Sequence, residues 1–191
     1  MLKFKLMKKL FSFIFFVTFF LSCAQEYEFI NQVITPFEKK NPIPLDTIFL
    51  RNKFLLPGKG FQSIESFNKP NLKSLWEPIP YVHTPPVELF LHNFDTGYIQ
   101  SELQKIQNDS LINIEQLNKY FYLCSDEFVK NNPRNKYISI SKPIFNRNKD
   151  WCFIVKSHFI PYVQVGGGIM EIYVKVNKVW VLYHTLTLWF S

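Results

Sequence analysis

The chain has 191 residues, of which 47% are hydrophobic and 18% aromatic, with 21 phenylalanines. That is enough for one sizeable core, and too apolar for disorder through the body of the protein. The formal net charge of +7 suggests a polyanion partner, yet Lys3, Lys5, Lys8 and Lys9 supply four of those charges and no acid precedes Glu26; the rest carries 18 basic against 15 acidic side chains, with no Lys/Arg run longer than two, so nucleic acid is excluded as a partner.

The first 22 residues read as a secretory leader. A basic stretch, Met1 to Lys9, precedes the apolar run LFSFIFFVTFFLS, Leu10 to Ser22. Thirteen helical residues rise about 20 Å, short of the roughly 30 Å of bilayer hydrocarbon, and no later run is long enough to span. The expectation is export across the inner membrane with no transmembrane span in the mature protein. Two processing outcomes stay open. A general signal peptidase would cut after Ala24, with Ser22 and Ala24 as the small residues, and release the chain. Alternatively, Cys23 is lipidated behind Phe20-Leu21-Ser22 and anchors the protein as a periplasmic or outer-membrane lipoprotein.

Residues 25–92 come next, with nine of the 12 prolines between Pro36 and Pro86. Proline removes a backbone donor and pushes its predecessor toward extended conformations. This part is predicted to form extended segments and edge strands, the best of them Asp46 to Leu56 and Val87 to Phe94. Residues 93–191 should form the α+β core. Asp95 is a good N-cap, Phe94 can staple onto Ile99, and Ile99, Leu103 and Ile106 recur at helical spacing up to Asn108-Asp109. A second helical stretch is read over Ile114 to Tyr120, and Ser125 with Asp126 and Glu127 caps a short turn to Lys130.

The last third reads as antiparallel sheet. YISISKPIF and WCFIVKSHFI flank the polar hairpin NRNKD; after a flexible GGG connection come IMEIYVKV and VWVLYHTLTLWF, joined by Asn177-Lys178. A two-residue turn there pairs Val176 with Val179 and sets the register outward. Met170, Ile172, Val174 and Val176 would then face the core, opposite Thr185, Tyr183, Val181 and Val179. The other face, with Glu171 opposite His184 and Lys175 opposite Trp180, is mixed and reads as half-covered. The fold class is therefore α+β: one or two short helices on a C-terminal antiparallel sheet, wrapped by a proline-rich extended N-terminal part.

The run ISISKPIFNRNKDWCFIVKSHF, the glycine cluster and VNKVWVLYHTLTLWFS together resemble a group of uncharacterised exported or lipid-anchored bacterial proteins. These share an S-K-P-I-F stretch, a glycine-rich turn, an N-G-K-W hairpin and a terminal W-x-S. The likeness covers residues 138–191 well and residues 94–137 loosely, and it implies export and a compact C-terminal sheet but no activity. Members of the group carry a Cys-Gly pair just before the glycines; here FIPYVQVGGG has no cysteine, so no redox role follows.

Candidate chemistry is sparse. None of His83, His92, His158 and His184 has a second His or Cys at metal-ligand spacing, and no GxSxG elbow, P-loop or dinucleotide-binding pattern occurs, so neither a metal nor a cofactor is expected. Cys124 and Cys152 would either pair as a disulfide in an oxidising envelope or stay as two buried thiols. Glu171 beside His184 is the one acid–base pair, readable as the centre of a small hydrolase or as a surface cross-strand contact. His158, in the neighbouring strand, is placed to join them. Trp151, Tyr173, Trp180 and Trp189 on the sheet would serve either a glycan surface or the core. The leading expectation is a non-enzymatic envelope module that binds another envelope protein or a glycan; the hydrolase is the runner-up.

Overall fold

The computed structural model describes residues 24–34, 48–55, 86–93, 95–105, 111–117 and 121–190. The leader, Cys23, Phe94 and the prolines from Pro36 to Pro85 lie outside the described residues, as do the expected end of the helix at Asn108-Asp109 and residues 118–120.

The first described element is a helix over residues 24–33 (α1). Tyr27, Phe29, Ile30, Val33 and Ile34 are all buried, an i, i+3, i+7 row joined by an i, i+4 pair. This corrects the extended reading of residues 25–92 at its start. The strand expected around Asp46 to Leu56 forms as Ile48–Arg51 (β1). The one expected at Val87 to Phe94 is instead a helix, Val87–Asn93 (α2); Pro86 stands just before it, where a helix tolerates proline best.

Thr96–Lys105 (α3) follows the expected pattern. Asp95 accepts hydrogen bonds from the amides of Gly97 at 2.9 Å and Tyr98 at 3.5 Å, which hold its carboxyl below the ordinary aspartate range. Of the helix read over Ile114 to Tyr120, the described part is one 3-10 turn, Ile114–Gln116. Then come Phe121–Cys124 (β2) and Asp126–Asn131 (α4), the latter capped by Ser125, whose hydroxyl accepts from the Phe128 amide at 3.1 Å.

The remaining strands are Tyr137–Ile140 (β3), Ile144–Phe145 (β4), Trp151–Ile160 (β5), Val165–Val176 (β6) and Val179–Phe190 (β7). Together they make a seven-stranded sheet in the order β2-β1-β3-β5-β6-β7, with β4 also paired to β5. The sheet is mixed rather than purely antiparallel, because β1 runs parallel to both β2 and β3. A strand from the N-terminal half thus joins the C-terminal strands, and the α+β class stands in this sheet-dominated form.

At the turn end of the β6–β7 hairpin Val176, Val179 and Val181 are exposed, which corrects their core-facing reading; elsewhere the sheet packs on both faces. On one, Phe90 of α2 and Ile99 of α3 pack with Trp151, Phe153, Val155, Met170, Ile172 and Leu186. On the other, α1 packs with Ile140, Cys152, Ile154, Tyr173 and Trp180. α4 closes a third cluster around Cys124, Val129 and Tyr137. The face expected to be half-covered is core where α1 packs on Tyr173 and Trp180 and open at Leu182, which is 47% exposed. Of the three described candidate aromatics, Tyr173 and Trp180 are buried on this face and Trp151 on the other, so they pack the core and offer no open glycan platform.

The β6–β7 hairpin begins as its turn dictates. Asn177 and Lys178 both have positive φ, 49° and 68°, the left-handed pair that a two-residue hairpin turn requires. Pairing then runs from Val176↔Val179 to Tyr173↔Leu182 before a bulge shifts it. A side chain in the left-handed region costs on the order of 1 kcal/mol, so Lys178→Gly should raise the urea midpoint by about that stability. The GGG segment is a correction as well: Gly166, Gly167 and Gly168 are strand residues of β6, opposite Phe159, His158 and Ser157. A Cβ on Gly166 would lie 2.8 Å from the His158 carbonyl oxygen, so the strands approach there only because the side chain is missing.

Candidate functional site

The bulge between Ile172 and Tyr173 decides the fate of the sequence-read acid–base pair. Tyr183 is the extra residue on β7, and beyond it Ile172 pairs with His184 and Glu171 with Thr185. Glu171 and His184 are therefore not opposite each other, which corrects the expected pairing. His184 is buried, and burial lowers its pKa below the ordinary imidazole value. A one-residue bulge is enough to break a pairing that the turn alone would have set.

Glu171 has a different partner. In β5 and β6, Ile154 stands opposite Glu171 and Lys156 opposite Ile169, so Lys156 is the diagonal neighbour of Glu171 on the same face. Its Nζ lies 2.5 Å from Glu171 Oε2. Tyr173, two residues along β6 and on that face too, donates its hydroxyl to the same Oε2 at 2.5 Å. Glu171 is only 3% exposed, so the ion pair is embedded, and such a pair persists only when its geometry and extra hydrogen bonds offset desolvation. Burial first and the Glu171 carboxylate second drive the Tyr173 phenol far above its usual range, so it stays a neutral donor.

Two members of this cluster, Lys156 and Glu171, line a pocket. Glu171 and Ile169 come from β6, Lys156, Ser157 and His158 from β5, and Lys136 and Ile138 from β3 and its approach, while Ile34 at the end of α1 closes the top. Its empty volume is about 490 Å³, including the solvent at its mouth. The hollow has a sequence cause. Gly167 pairs with His158 and brings no side chain to that face, so the row has a gap between Val165 and Ile169. Of the residues named from sequence, Glu171 and His158 meet here and His184 does not line the pocket. Ser157 and His158 are consecutive in a strand, so their side chains point to opposite faces and cannot act as nucleophile and base.

The cysteines are separate. Cys124 and Cys152 are both free and buried, and they sit in different clusters, beside α4 and beneath α1. Burial raises the Cys124 thiol to about 11 and the Cys152 thiol well above its ordinary value, so both are thiols rather than thiolates at neutral pH. The disulfide reading is thereby corrected. Among the described residues, no group of three or more His, Cys, Asp or Glu side chains is placed to hold a metal ion, and no helix is long and apolar enough to cross a membrane.

The chain matches no protein family, no curated protein and no solved structure. The functional reading therefore rests on the pocket and the leader.

Proposed function

We propose that the chain is an exported cell-envelope protein that acts as a non-enzymatic binding or assembly module, with the pocket between α1 and the sheet as its ligand site. The observation that carries this reading is the engagement of Glu171, the one carboxylate among the described residues that line the pocket. Lys156 and Tyr173 both bind Glu171 on one oxygen, so it is held as a structural anion and not poised as a base. The pocket also combines three isoleucines with a few polar groups, the usual make-up of a ligand site. The greasy, basic leader supports export, with attachment through Cys23 or release after Ala24 as its two endings. The hydrolase alternative would need Glu171 and His184 to act together, and the bulge that separates them gives it no support.

The test is to express the full chain with its leader and recover it from the cell envelope. Intact mass should show either a diacylglyceryl-modified Cys23 or an N-terminus at Gln25. The recovered protein should not hydrolyse ester, amide or glycoside reporters above a Glu171→Gln, His184→Ala double variant. Intact chain in the cytosol with Met1 retained would end the export reading. Turnover that the double variant abolishes would end the non-enzymatic one.

A further inference from the structure

We propose that the pocket takes a small amphipathic monoanion, a carboxylate carrying a short apolar tail; this deepens the binding-module reading and rests on it. The argument starts from charge. Four ionisable groups line the cavity: Lys136, Lys156, His158 and Glu171. Lys156 and Glu171 neutralise each other at 2.5 Å, which leaves Lys136 and His158 to set the field at the mouth. Lys136 is exposed and brings an ammonium, while His158 on β5, paired with Ile138, adds a ring N–H to the same cavity. One ammonium and one imidazole donor suit the two oxygens of a single carboxylate. A dianion would lack a second permanent cation, and an ammonium ligand would face like charge.

The tail follows from the apolar part of the lining. Ile34, Ile138 and Ile169 line the cavity together with these groups, and they come from three separate elements, so a chain of a few carbons would be enclosed on several sides. The gap at Gly167 supplies the room: the row on β6 is interrupted between Val165 and Ile169, and His158 stands opposite the missing side chain. The pocket thus sets Lys136 and His158 beside apolar side chains, with the Lys156–Glu171 ion pair on the same face of the sheet. Headgroup and tail are recognised by different residues, so they can be tested apart.

The experiment is a methyl NMR titration of the mature chain with hexanoate, hexylammonium and 1-hexanol at neutral pH, following Ile34, Ile138 and Ile169. Hexanoate should give saturable shifts at all three methyls and bind at least tenfold more tightly than hexylammonium. Lys136→Gln should weaken hexanoate at least fivefold and leave hexanol unchanged; the side chain is exposed, so the variant will fold. Lys130→Gln, the same charge change on the exposed face of α4, should stay within twofold of wild type. Hexylammonium or hexanol binding as tightly as hexanoate would overturn the ligand class but leave the pocket as a binding site. So would equal effects of Lys136→Gln and Lys130→Gln. Failure of hexanoate to saturate overturns the inference outright; joined to reporter turnover by the same protein, it also removes the binding-module reading.

Discussion

Phe29→Ala is expected to remove a large share of the protein's stability, about 3–5 kcal/mol, against a typical total of 5–15 kcal/mol for a domain. Phe29 is fully buried and meets three rings edge-on: Phe145 at 5.7 Å, Tyr173 at 5.3 Å and Trp180 at 5.1 Å between centroids. Edge-to-face pairs add to the area burial itself, and those three rings belong to β4, β6 and β7, so no single neighbour can move to fill the cavity. Urea unfolding followed by tryptophan fluorescence would measure the loss. Glu28→Gln, on the exposed side of the same helix, should change stability by less than about 0.5 kcal/mol. If Phe29→Ala unfolded at the wild-type urea concentration, α1 would not be part of the core and the covered face of the sheet would have to be redrawn.

That outcome bears directly on maturation. A cut after Ala24 removes one helical residue and keeps Tyr27, Phe29, Ile30, Val33 and Ile34, the side chains that cover the sheet. A lipid on Cys23 would sit one residue before the first described residue of α1. Such an anchor would have no long linker and would hold the folded module close to the bilayer.

How much of this was legible in the sequence depends on whether the signal was local. Asp95 and Ser125 cap as read because capping needs only the next three residues. The Asn177-Lys178 turn sets four pairs correctly because a two-residue loop dictates its own register. α1 also had a helical pattern in Tyr27, Phe29, Ile30, Val33 and Ile34, but aromatic and β-branched residues have weak helix propensity. Its stability comes from docking against Tyr173 and Trp180, about 145 residues away, which sequence periodicity does not display. VELFLHN reads as strand for the same reason; only Pro86 ahead of it marked a helix start.

The site was half visible. Glu171 was singled out for its neighbours on β7, yet its partner lies on β5. Reading Gly166 to Gly168 as a loose connection left the β5–β6 register undetermined, and Lys156 was missed. Had the glycines been read as strand, the tight return PYVQ between Ile160 and Val165 would have put Lys156 diagonal to Glu171. The bulge at Tyr183 carried no local mark, because VLYHT contains neither glycine nor proline. What fixes it is the packing of Tyr183 and Leu186 on the α2–α3 side of the sheet, a tertiary demand.

The Lys156–Glu171 pair yields the second large effect, and its size depends on which partner is removed. Lys156→Met leaves a carboxylate with 4% of its side-chain surface exposed and, among the described residues, the Tyr173 hydroxyl to solvate it. The expected cost is about 3–5 kcal/mol, the usual penalty for stranding one member of a buried pair. Glu171→Leu should cost less, because the Lys156 side chain is 12% exposed and its flexible stem can carry the ammonium toward the mouth of the pocket. Replacing both should restore most of the loss, since the pair's Coulombic gain and its desolvation cost nearly cancel. A double-mutant cycle in urea should then return a coupling of about 2 kcal/mol or more. The double variant should still bind hexanoate within a few-fold of wild type, because Lys136 and His158, not the Lys156–Glu171 pair, face the proposed carboxylate. Additive single effects would show that the two charges do not meet. A double variant that folds fully but no longer binds would move the ligand's contacts to the Lys156–Glu171 pair.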